Sequence, residues 1–282
     1  TEALRRLALT SLLIVLASLA PSPARSQQAS GSKSPAKAVS PQPTESQARA
    51  RAVLMQMAEF ISSTQRFSVS LRAGYDAVQG SGQKIEFTET QQITVSRPRN
   101  LRVESARSDG AKMLAVFTGT EIALIDATAN VIATAPQPGP IDETLVHFVQ
   151  NLGMRLPLAV MLLSRLPAEL DGRVKFIDYV EKTGIHGSPA HHLAARTDTV
   201  DFQIWITEGD KPLPQRVVIT YKNAQGQPQF WAQLSDWNLA PPIAESTFAA
   251  MAPEGAQKVA FAAQLRRTEP TARQSISSKG AK

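Results

Sequence analysis

Apolar positions change their period several times along the chain, and each change marks an element. Ala50, Val53, Met57, Phe60 and Ile61 recur at helical spacing between about Ser46 and Ser63, and Thr44 with Gln47 forms a capping box ahead of them. From Phe67 the period becomes two. Phe67, Val69, Leu71 and Ala73 share one face; Ile85 and Phe87, then Ile93 and Val95, share the next, and Leu101 and Val103 follow the break at Arg97-Pro98. Lys112–Phe117 and Ile122–Asp126 flank Thr118-Gly119-Thr120 as a hairpin, with Val131–Thr134 as a short partner. Short strands in sequence with little between them make an antiparallel meander, because parallel pairs need crossovers of a dozen residues or more.

The middle of the chain returns to the helical period. Ile141, Leu145, Phe148 and Leu152 line one face, and Asp142 and Glu143 sit in the first turn, where they favour the helix dipole. A second helix is predicted over Pro157–Leu166, opened by a proline and closed by Pro167. It is apolar on nearly every side, so it is either core or a lid over a ligand cavity. Strands then resume at Val174 and Phe176 and at His192–Ala195. Phe202, Ile204 and Ile206 face one way while Asp201, Gln203 and Trp205 face the other. Val217, Ile219 and Tyr221, then Phe230–Trp237, complete a second meander. Two helices interrupting one sheet predict a single domain from about 46 to 263.

Composition and charge add an address. Arg5 and Arg6, an apolar run Leu7–Ala20 and the small-residue site around Ala24-Arg25-Ser26 describe a secretory signal peptide over residues 1–26. The run is short for a spanning helix, which needs about 20 residues; an uncleaved anchor is the alternative. Residues 27–45 are mostly Ser, Pro, Ala, Gln and Lys with almost nothing to bury, a disordered linker. The net charge of +6 belongs to the ends. The tail 264–282 carries Arg266, Arg267, Arg273, Lys279 and Lys282 against Glu269, and residues 46–263 are close to neutral. That argues against nucleic acid as a partner, since such a domain carries its basic patch on the fold. The tail reads as a solvated end or as a contact with an anionic membrane surface.

There is no cysteine, which excludes disulfides, thiolate metal sites, cysteine nucleophiles and an acylated N-terminal cysteine. A soluble periplasmic protein, exported by the secretory route and without an integral membrane segment after signal cleavage, is therefore expected. Among four histidines the nearest approach to a metal cluster is His191-His192 beside His186, but neighbours on a strand point to opposite faces. Asp201, Glu208, Asp210 and Asp236 lie near turns with no spacing that pairs them for acid–base work. No nucleophile elbow or phosphate-cradling loop occurs. Neither a catalytic constellation, a metal site nor a cofactor is expected.

From Tyr179 onward the chain resembles an uncharacterised family of predicted periplasmic proteins from Gram-negative bacteria. The likeness is carried by His192-Leu193-Ala194, the Val200–Ile206 run, Gly209-Asp210-Lys211-Pro212-Leu213-Pro214, Val217–Thr220, Pro228-Gln229, Asp236-Trp237-Asn238, Phe248 and Pro253-Glu254-Gly255-Ala256. Ile141–Leu145 and Leu156-Pro157-Leu158-Ala159 look similar too. The family is placed with the lipoprotein carrier and receptor (LolA/LolB-like) fold. The resemblance thus implies an α+β protein whose strongly curved antiparallel half-barrel sheet wraps around helices and encloses an apolar cavity. It brings no catalytic residues and no acyl-binding positions. Candidate lining residues are Phe67, Val69, Leu71, Phe87, Leu145, Phe148, Val160, Met161, Leu162, Phe202, Ile204, Trp205, Ile219 and Trp231. The tryptophans are readable either as core or as liners. A carrier for a lipid, a lipoprotein acyl chain or another apolar ligand is the leading expectation. A module that recognises an envelope protein with no small ligand is the alternative.

Overall fold

The computed structural model describes residues 43–154, 156–184 and 187–261. The expected signal peptide, most of the linker and the 264–282 tail lie outside them.

Helix α1, Glu45–Ser63, begins where its capping box puts it. The Gln47 N–H donates to Thr44 Oγ1 at 3.2 Å, and the Thr44 N–H to Gln47 Oε1 at 3.0 Å, so two amides with no partner inside the helix are satisfied reciprocally. Its buried stripe is Ala50, Leu54, Met57, Ala58 and Ile61. Six strands follow: β1 Arg66–Val78, β2 Lys84–Ser96, β3 Asn100–Arg107, β4 Lys112–Phe117, β5 Glu121–Asp126 and β6 Val131–Pro136. After the helical middle come β7 Phe176–Thr183, β8 Ala190–Arg196, β9 Asp201–Thr207, β10 Pro214–Thr220 and β11 Gln229–Asn238, then a short β12, Gln257–Lys258.

Among the described residues twelve strands form one sheet in the order β12-β6-β5-β4-β3-β2-β1-β11-β10-β9-β8-β7. Each meander is antiparallel throughout, and β1 joins them by pairing with β11 from Tyr75 opposite Phe230 to Ser68 opposite Asn238. Only β12 runs parallel to its neighbour, β6. The two ends of the order do not pair, so the sheet is curled but unclosed. Period-two alternation puts Phe67, Val69, Leu71 and Ala73 on one face, with Val95, Leu101, Phe117, Ile122, Ile204, Ile206 and Phe230, and this face meets the helices in one continuous core. The α+β class and the order of elements follow the sequence pattern.

The middle segment differs from its prediction. Helix α2 is Ile141–Val146 and widens into a π turn at His147–Asn151. Pro157–Leu166 is not a helix. It is a turn with a single 3₁₀ stretch, Ala159–Leu162, reached through Leu158 in the left-handed region (φ 56°). Helix α3 is Leu166–Arg173, and Pro167 lies in its first turn rather than ending a helix before it. A proline lacks the N–H that either position would leave unused, so it marks a helix start as readily as a stop. A run apolar on all sides had no helical period to decide between them.

Candidate functional site

The segment 156–161 fills the middle of the space beneath the sheet. Leu156, Leu158, Val160 and Met161 are half-buried apolar side chains against the core, with Ala159 and Leu162 buried between them. Its backbone bonds are internal: Ala159 N–H to Leu156 O, Met161 N–H to Leu158 O and Leu163 N–H to Val160 O. Among the described residues, nothing outside 156–163 hydrogen-bonds to 156–161. Apolar contact alone holds this plug in place.

Its C-terminal end is pinned instead. The Arg97 guanidinium donates through Nη1 to Leu162 O at 2.8 Å and through Nε to Thr64 O, just past the end of α1, at 3.2 Å. Its Nη2 is buried without a hydrogen-bond partner, and burial lowers its pKa against the opposing pull of Asp142. The Asp142 carboxylate, buried in the first turn of α2, accepts from the Ser164 N–H at 2.9 Å and from Ser164 Oγ at 2.8 Å, with Arg165 at 3.6 Å. Asp142 was legible as a helix-dipole partner; the structure gives it the further task of holding the chain just beyond the plug.

Between plug and sheet remains an apolar pocket of about 20 Å³, lined by Ile61, Phe67, Val69, Leu71, Ile93, Leu234 and Trp237 and closed by Pro157, Leu158, Met161 and Leu162. That volume holds about one water and no hydrocarbon chain, since a water needs roughly 10–15 Å³ on this measure. The open cavity that the half-barrel reading implied is occupied by the protein's own residues.

The candidate residues therefore separate into groups. Phe67, Val69, Leu71, Met161 and Leu162 surround the pocket, with Val160 beside them in the plug. Leu145 and Phe148 are buried farther along, Phe148 edge-on to Phe117 at 5.2 Å. Ile204 is core. Phe202, Ile219 and Phe87 join Phe230 and Tyr75 in a row across β9, β10, β11, β1 and β2, directly in register. Except for Phe230 this row is only half-buried, and Tyr75 stacks on Phe87 at 6.0 Å.

Trp205 and Trp231 do not line this space. Both alternate onto the opposite face, Trp205 between the buried Ile204 and Ile206, and Trp231 between Phe230 and Ala232. Alternation already separated Trp205 from Phe202 and Ile204. Trp237, readable as core or liner and left off the candidate residues, is the tryptophan that lines the pocket. Asp236 takes φ 54° and the β1 register slips there, so the alternation reverses and Trp237 turns inward, 5.6 Å from Phe67, its Nε1–H on Pro214 O at 3.1 Å.

No three His, Asp or Glu side chains gather as metal ligands among the described residues. His186 lies outside them. His191 and His192 point to opposite faces, His191 to Tyr179 and His192 onto Trp205. His191 belongs to a clasp that ties α1 to β7. Ser46 Oγ meets the backbone N–H and C=O of Tyr179, and Arg49 donates to the Tyr179 hydroxyl, which lies 2.9 Å from His191 Nδ1. The phenol can donate to Nδ1 only while that nitrogen is unprotonated. Burial lowers the His191 pKa; Glu208 opposes this, and Lys182 and Arg49 add to it. With the folded pKa below the free value of about 6.5, the unfolded chain takes the proton first. Stability is full above that value and falls as the pH drops below it. Thermal unfolding between pH 7 and 5 should show this loss, and His191→Gln should flatten it. Glu169 and Glu208, both held low, lose their contribution in a separate window below the ordinary carboxylate range.

These features define a class: an open half-barrel of α+β type with an apolar seam closed by its own chain. The chain belongs to the family of predicted periplasmic proteins designated DUF2092, whose profile matches residues 50–262. No curated protein matches its sequence. Among solved structures it is similar to an uncharacterized conserved protein from Thermus thermophilus (12% identity, 75% of this chain and 99% of that one, TM-score 0.45). It is also similar to the lipoprotein LppX of Mycobacterium tuberculosis (13%, 70% and 98%, 0.45) and to the Pseudomonas aeruginosa MucA/MucB complex (18%, 72% and 61%, 0.40). Among the described residues no helix is long and apolar enough to cross a membrane.

Proposed function

We propose that the protein is a periplasmic carrier for a long apolar chain, which it takes up by displacing the 156–161 plug. The observation that carries this reading is that an apolar segment fills the seam with no hydrogen bond, among the described residues, to its surroundings. An irregular backbone held only by packing can leave without orphaning polar groups, and Leu158 leaves a left-handed conformation that costs roughly 1–2 kcal/mol. Arg97 and Asp142 keep the far end fixed, so the segment hinges rather than unravels. The row Phe202–Ile219–Phe230–Tyr75–Phe87, half-buried except at Phe230, gives an entering chain further surface to follow.

Magnitudes decide which chains can enter. Freeing the four half-buried plug side chains costs about 3–6 kcal/mol, roughly half the full-burial value for each, while each methylene of a ligand contributes about 0.8 kcal/mol. Chains shorter than roughly four to eight carbons therefore lose, and a sixteen-carbon chain wins by several kcal/mol. Titration with fatty acids of increasing length, followed by fluorescence of Trp237 in a variant lacking the other two tryptophans, should show no binding for short chains. Beyond the threshold it should show about fourfold tighter binding per methylene. Binding independent of length, or absent at every length, contradicts the carrier and favours a module that recognises an envelope protein.

A further inference from the structure

The sheet face turned away from the helices is built for a different contact. Across β8, β9, β10, β11, β1 and β2 the residues in register on it are His192, Trp205, Arg216, Gln233, Arg72 and Thr90. At about 4.8 Å per strand this row spans roughly 24 Å. His192 stacks on Trp205 with ring centres 4.0 Å apart and 11° between planes. The Arg216 guanidinium stands between two indoles, 5.8 Å from Trp205 and 5.5 Å from Trp231. Trp231 lies against the backbone of Gly74, where a Cβ would come within 2.5 Å of the ring, and its Nε1–H donates to Glu86 at 3.0 Å.

Neither Arg216 nor Arg72 has a carboxylate or hydrogen-bond partner among the described residues, whereas Arg196 on the same face is paired with Asp201. Beside this row the same face carries a groove of about 530 Å³ over β7 to β10. It is lined by Ala194 and Val218, by Gln203 and Thr220, by the carboxylate of Asp178 and the Arg196–Asp201 pair, and by the exposed Phe176, so an anion is held on the arginine row beside it and not in the groove itself. Val218 is the register partner of Trp231, so groove and indole adjoin.

We propose that this outer face binds an acidic glycan. Two guanidiniums without a carboxylate or hydrogen-bond partner ask for anions, and their planar forks pair bidentately with a carboxylate. The indole flattened on Gly74 offers an apolar plane for the C–H face of a sugar ring, while the amides and hydroxyls of Gln203, Gln233, Thr90 and Thr220 match hydroxyls. An acidic peptide is the poorer match. The row crosses strands whose backbone groups are paired on both sides, leaving no edge for strand addition. The proposal is independent of the seam on the other face.

Calorimetry of the full chain at low salt, with tetragalacturonate, a neutral maltotetraose and tetraglutamate as probes, tests it. Tetragalacturonate should bind at least tenfold tighter than either of the others, and its affinity should fall as salt rises. Arg216→Gln should remove that advantage over the neutral sugar, and Trp231→Ala should weaken both sugars about tenfold. Arg216 makes no hydrogen bond that folding needs, so its variant remains informative if Trp231→Ala unfolds. Tetraglutamate binding as tightly as tetragalacturonate, no sugar binding, or an unchanged Arg216→Gln preference would each overturn the assignment.

Discussion

Leu158→Ala combined with Met161→Ala is expected to weaken the fold and tighten apolar-chain binding at once. Each side chain is half-buried, so together their truncation should cost about 2–4 kcal/mol in urea unfolding. The same truncation enlarges the pocket of about 20 Å³ beneath them and removes the groups a ligand must displace. Affinity for a sixteen-carbon fatty acid should rise tenfold or more. Opposite signs for stability and binding distinguish a plug from ordinary core, where loss of packing lowers both.

Asp142→Ala should lower stability by about 2–3 kcal/mol, because it removes a buried charged acceptor from the exposed Ser164 and a countercharge from the half-buried Arg97. Ser164 would lose its acceptor for both N–H and Oγ, and Arg97 its nearby countercharge. Asp142→Asn, which keeps an acceptor oxygen, should recover part of the loss. Amide exchange at Leu163 and Leu166 should quicken in the alanine variant before the sheet does, because the pin and not the sheet has been cut.

Much of this arrangement could be read from local pattern. Thr44 and Gln47 announced α1, and alternation placed Phe67, Val69, Leu71, Phe202 and Ile204 on the helix-bearing face. What escaped the pattern had physical reasons. The Asp236 bulge shifts the phase of β11 by one residue, so Trp237 was left off the candidates while Trp231 was miscast. Pairing of β1 with β11 lies about 160 residues apart in sequence, a separation no local periodicity reports. Arg97 reads as a cation before a turn proline, and nothing near it in sequence reveals the carbonyls of Thr64 and Leu162. The plug could not be told from a helix because a decapeptide apolar at every position but Ser164 and Arg165 fits either.

A palmitate analogue with a photoreactive diazirine near its methyl end, cross-linked to the full chain and mapped by peptide mass, probes the seam most directly. The account predicts adducts on the inward positions Phe67, Val69, Leu71, Ile93, Leu234 and Trp237, suppressed by unlabelled palmitate. Adducts confined to Trp205, Trp231 and the other outer positions, or labelling that unlabelled palmitate leaves unchanged, would contradict it.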